Sequence, residues 1–152
     1  MPARRPSFMA TFALITLAAS GPLQADGAAL YATHCVACHQ PDGNGAEGLA
    51  PPLAGVLAKR AQSDSGREYL AQVLVSGMVG NITSRGVKYN GNMPPAALSD
   101  EELSAVMGYV LARFNDSPLQ IPVTLFASAR NKGLPPAAVR QQRERVLAEV
   151  GE

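Results

Sequence analysis

One stretch restricts this chain more than any other: Cys35-Val36-Ala37-Cys38-His39, which holds both cysteines and one of the two histidines. A random ordering of the same composition would produce C-x-x-C-H about 2 times in 10,000, so the pattern is a specific one. Its spacing has a chemical reason. Two thiols three positions apart can each add across a vinyl group of one haem, and the histidine that follows then lies under the iron. Two other readings compete. A C-x-x-C redox disulfide expects a βαβ surround, which the flanking sequence lacks. A structural zinc site needs four ligands, and the only other strong nitrogen or sulfur donor nearby is His34, adjacent to Cys35. The motif therefore predicts one covalent haem c.

The N-terminus reads as an export signal over residues 1–25. Arg4 and Arg5 form a positive segment, and Phe8 to Ala19 is a 12-residue apolar run, shorter than the ~18 residues of a spanning helix. Leu23-Gln24-Ala25 places a small residue at the expected cut, before Asp26. A chain that receives its haem after export can cross unfolded, which suits the general secretory route better than the twin-arginine one. The predicted location is the periplasm, with membrane association only if the signal stays uncleaved. Without Arg4 and Arg5 the 13 basic side chains fall to 11 against 12 acidic, a formal charge of −1. That excludes a basic nucleic-acid footprint. The remaining length suits one domain, 26–116, followed by an extension, 117–152.

Ala28 to Gln40 reads as a short helix running into the motif, with Tyr31 one turn before Cys35. The Pro41-Asp42-Gly43-Asn44-Gly45 stretch is dense in turn formers. In Ala50-Pro51-Pro52-Leu53, a rigid proline carbonyl is a suitable acceptor for the second imidazole nitrogen of His39. Ser65 with Glu68 forms a capping box for a helix that ends near Gly77. Asn81 to Lys88 is polar and irregular in pattern. Ser99 with Glu102 opens a further helix, in which Leu103, Val106, Met107, Val110, Leu111 and Phe114 recur at helical spacing. Gln120 to Ala127 suggests extended backbone, although Pro122 argues against a central strand. Pro135-Pro136 then opens a last helix, capped by Gly151. The extension holds 5 basic and 3 acidic side chains, whereas 26–116 holds 6 and 9. It reads either as a solvated helix packed on the body or as a docking element.

One histidine leaves a coordination position open. Of the methionines beyond the signal, Met107 lies on an apolar helix stripe and Met78 follows Gly77 in a turn. Met93 sits in Tyr89-Asn90-Gly91-Asn92-Met93-Pro94-Pro95, where Gly91 frees the backbone and Pro94 biases it away from helix. Such a loop can point a thioether inward, and His/Met ligation suits electron transfer.

In this order, CVACH, APPLAG, YNGNMPP and a capped amphipathic helix resemble the class I monohaem cytochromes c over about Gly27 to Phe114. They are most similar to the small bacterial periplasmic cytochromes that accept electrons from dehydrogenases. The resemblance implies an all-α fold of three to four core helices around one haem, with the helical extension added. It implies thioether bonds at Cys35 and Cys38, His39 as proximal ligand and Met93 as distal ligand. Pro51 matches the proline whose carbonyl orients that histidine, and Tyr31 and Tyr109 match the helix-crossing aromatics. The chain has no Trp, so a propionate hydrogen bond falls to Tyr89 or Arg85. The implied function is one-electron transfer, not enzymatic turnover, between a donor dehydrogenase and an acceptor oxidase or cytochrome. Alternatives are a dedicated cytochrome subunit of a dehydrogenase complex and a haem enzyme or sensor with a labile sixth ligand.

Overall fold

The computed structural model describes residues 25–152. The export-signal reading therefore lies almost wholly outside the described residues. Asp26 caps α1 (Gly27–His34), its carboxylate accepting from the amides of Ala28 and Ala29 at 3.0 and 3.2 Å. Cys35 ends α1 and begins α2 (Val36–His39). A long irregular loop then leads to α3 (Ala58–Gln62) and α4 (Asp64–Ser76). The N-cap of α4 is Ser63, whose hydroxyl accepts from Gly66 N at 3.0 Å, and not Ser65. Two residues decide this: Gly66 packs so closely on the Arg60 carbonyl that a Cβ there would collide with it, which fixes the corner earlier in the chain.

After Gly77, which takes φ 71° and ends α4, the expectation of irregular structure over Asn81 to Lys88 is corrected. Met78–Ser84 (β1) and Val87–Met93 (β2) form an antiparallel hairpin, in register from Met78 opposite Met93 to Ser84 opposite Val87. Its two-residue turn, Arg85-Gly86, places both φ angles positive, at 49° and 78°. This is the twist that hairpin strands favour, and Gly commonly supplies it. An arginine at the first turn position and several Asn and Gly in the strands hide the signal. The fold is thus mainly helical with one small two-stranded sheet.

Ser99 and Glu102 close a full capping box on α5 (Asp100–Asn115), in agreement with the sequence. Its buried stripe of Leu103, Val106, Met107, Val110 and Leu111 faces the core. Gly27 lets α1 lie against α5, since a Cβ there would collide with the Ala105 carbonyl and Tyr109. At this crossing Tyr31, Tyr109 and Phe114 form an aromatic trio with ring centroids 5.1–5.6 Å apart. Such tilted pairs contribute about 0.5–1.5 kcal/mol beyond their buried area.

Residues 120–127 are not extended. Pro122 precedes α6 (Val123–Lys132), and α7 spans Pro136–Val150 with Gly151 as its C-cap. The β-branched and aromatic content of VTLF reads as strand, but Phe126 and Ala129, one turn apart, both bury against α4. Gln72 inside α4 donates to the Ala129 carbonyl at 3.2 Å. The α7 helix packs on α4 and β1, burying Val139 and Val146. Both tail helices share one hydrophobic core with the preceding body.

Candidate haem site

The motif cysteines and His39 sit where α1 breaks into α2. Cys35 closes α1 through its amide to the Tyr31 carbonyl, and its own carbonyl accepts from the amides of Cys38 and His39 at 3.2 and 2.9 Å. The chain then turns sharply at Gln40, φ 63°, whose carbonyl accepts from the Tyr31 hydroxyl at 2.8 Å. Those contacts fix His39 on its short helix, 7% exposed.

His39 Nδ1 donates to the Pro51 carbonyl at 3.0 Å. A carbonyl can only accept, so Nδ1 carries the proton and Nε2 presents its lone pair. Burial holds the His39 pKa below its ordinary value, against the opposing pull of the Pro51 carbonyl. The imidazole is therefore neutral at neutral pH, the form that binds metal. Gly45 makes the close approach of Pro51 feasible: it takes φ 68°, and a Cβ there would collide with the Ala50 and Pro51 carbonyls. The Gly43 carbonyl accepts from the amides of Leu53 and Ala54, which pins the far end of the same loop.

Cys35 is half-buried and Cys38 exposed, and the two thiols are not joined. Burial, aided by Cys38, pushes the Cys35 thiol up to about 11. Among the described residues no group of three or more His, Cys, Asp or Glu side chains could hold a bare metal ion. Two free thiols just ahead of an oriented neutral imidazole instead fit a covalently attached haem, in which the chain supplies thioethers and an iron ligand.

Met107 is buried in the α5 stripe. Met93 ends β2, partly buried against the core, with Met78 directly opposite on β1. Gly77 holds this end of the hairpin onto α4. Its φ is 71°, and a Cβ would collide with the Met93 carbonyl and crowd Pro94 and Pro95. Ala96 N then donates to the Leu74 carbonyl at 2.9 Å.

Tyr89 is two alternations before Met93 on the same strand face, 6% exposed. It lines a cavity of about 810 Å³ together with Arg60, Arg85, Lys88 and Arg143. Arg85 also donates to the Ala54 carbonyl at 2.5 Å, which ties the hairpin turn to the Pro51 loop. Arg60 and Arg143 are contributions the sequence did not announce. Arg60 donates to Glu152 at 2.5 Å, and Arg143 donates to the Thr83 carbonyl at 2.8 Å. Burial lowers the Arg143 pKa, while nearby Tyr69 opposes that shift. These arginines lie on separate helices, α3 and α7, and no local pattern connects them.

The family model for cytochrome c matches residues 24–113. Two curated proteins, both named cytochrome c-552, are similar: one from Thermus thermophilus, the other from a particular strain of the same species. Each is 46% identical over 95 residues, 62% of this chain, and the match covers 72% of the first protein and 64% of the second. With the family match extending over more than half the sequence and enclosing CVACH, the chain belongs to the cytochrome c family, electron carriers with a covalently bound haem c.

Proposed function

We propose that this cytochrome is an exported, periplasmic one-electron carrier with its iron held between His39 and Met93. Cys35 and Cys38 carry the thioether bonds. The observation that carries the reading is the oriented imidazole: a buried, neutral His39 whose Nδ1 proton is committed to Pro51. The Met93 assignment draws support from its partly buried place at the Gly77 contact and from the coordinating softness of a thioether. The haem supplies a ferrous–ferric couple when bound. The chain's residues hold the macrocycle, exclude water from its faces and set the potential through the axial pair, a choice that spans about 0.8 V among haem proteins.

The Tyr89 hydroxyl and Arg85, which ties the hairpin turn to the loop that carries Pro51, are the groups we assign to a propionate. Their cavity has four cationic side chains against two carboxylates, Glu144 and Glu152. Cation–carboxylate hydrogen bonds are the strong ones in a partly dry site. The exposed Cys38 side is where the haem edge would meet redox partners, a donor dehydrogenase and an acceptor oxidase or cytochrome. No helix among the described residues is long and apolar enough to cross a membrane.

Voltammetry of the purified full chain with carbon monoxide titration tests the reading. One reversible one-electron couple and no carbon monoxide uptake by the reduced protein are expected. Carbon monoxide binding by the wild type, or rapid peroxide turnover, would replace the carrier by a haem enzyme or sensor.

A further inference from the structure

Met78 and Met93 occupy directly opposed positions at the open end of the hairpin. Opposed residues of an antiparallel pair project to the same face, with Cβ atoms about 4.5–5.5 Å apart. Both side chains are partly buried and both pack against the hydrophobic core. The face they share continues through Ile82 and Tyr89, themselves a directly opposed pair. Gly77 precedes Met78 and touches the Met93 backbone, so one contact places both methionines at the end of α4. Methionine is long and unbranched, with three rotatable bonds, and its sulfur can sweep several ångströms without backbone movement. The sheet thus presents two soft sulfur donors side by side where the proposed site needs one.

We propose that Met78 is a reserve axial ligand, taking the sixth iron position whenever the Met93 thioether is displaced. The inference rests on the reading of Met93 as the resident ligand. The exchange breaks one sulfur–iron bond and forms another, with no proton or electron transferred. It keeps the iron closed to small molecules through a lapse of the first ligand. A site occupied by a reserve ligand for about nine-tenths of the time binds an external ligand about tenfold more weakly than an open one.

The test compares full-length wild type, Met78→Ala, Met93→Ala and the double variant, each with its haem attached. It follows the near-infrared thioether-to-ferric band and carbon monoxide affinity of the reduced protein. Wild type and Met78→Ala are expected to keep the band and exclude carbon monoxide. Met93→Ala is expected to retain a band, shifted in position, and to bind carbon monoxide at least about tenfold more weakly than the double variant. The double variant loses the band and binds freely. Met93→Ala lacking the band and matching the double variant would overturn the reserve role and leave the Met93 reading intact. Loss of the band in Met78→Ala, with Met93→Ala like wild type, would overturn both by making Met78 the resident ligand. Leucine in place of alanine at both positions repeats the comparison at nearly constant volume if the smaller residue unsettles the hairpin.

Discussion

The two sides of the proposed haem site are built differently. On the His39 side, the ligand, both thiols and the Pro51 acceptor fall between residues 35 and 51, on one short helix and one glycine-rich loop. On the Met93 side, the methionine ends a strand whose position depends on Gly77 at the end of α4, on its partner β1 and on α7 behind that strand. The first is a local construction, and the second is a tertiary one. The contrast predicts that the His39 side tolerates changes in distant packing, while the Met93 side reports them.

The sharpest way to break the local half is Gly45→Ala. A Cβ at φ 68° must meet both the Ala50 and Pro51 carbonyls, which are backbone atoms with little freedom to yield. We expect about 3 kcal/mol of lost stability in chemical denaturation, and a loss under ~1 kcal/mol would contradict the account of the loop. On the tertiary half, Gly77→Ala should cost about 2 kcal/mol and weaken the near-infrared thioether band, with haem still attached. An unchanged band would show that the Met93 strand does not depend on that contact.

A smaller effect sharpens the local half. Burial above all raises Tyr31 to about 12 from an ordinary 10.0. Its contribution to stability is then complete below pH 10 and is lost as pH rises through 12. Tyr31→Phe removes the hydrogen bond to the Gln40 carbonyl, costing about 1 kcal/mol at neutral pH, and also removes this alkaline loss. The stabilities of the two proteins should therefore differ at neutral pH and converge at alkaline pH, and a constant difference would contradict the assignment. The smallest effect belongs to Glu68→Gln, which breaks the exposed Lys132–Glu68 pair between α4 and α6. At about 0.5 kcal/mol or less, it should leave the haem spectrum untouched, whereas a spectral change would show that α6 is coupled to the site.

The same division decided what could be read in the sequence. CVACH, the turn formers after it and the Ser99–Glu102 box are short-range patterns, and each corresponds to a local structure with its own hydrogen bonds. The hairpin escaped notice because Arg85-Gly86 is an uncommon pair for its turn and Asn and Gly interrupt its strands. Helix α6 was hidden by strand-like residues whose burial is decided by α4. Ser63 displaced Ser65 as a cap because of the Gly66–Arg60 contact, which propensity does not encode. Arg60 and Arg143 reach one cavity from separate helices, and only the folded chain brings them to Tyr89.

The central claim is that Cys35, Cys38, His39 and a methionine together hold one haem. Absorption of the purified protein from the visible to the near infrared, in both oxidation states and with a pyridine haemochrome assay, addresses it most directly. The account predicts one c-type haem per chain and the weak near-infrared band of a thioether on ferric iron. A c-type haem without that band would contradict methionine ligation, and a chain that takes up no covalent haem would contradict the whole account.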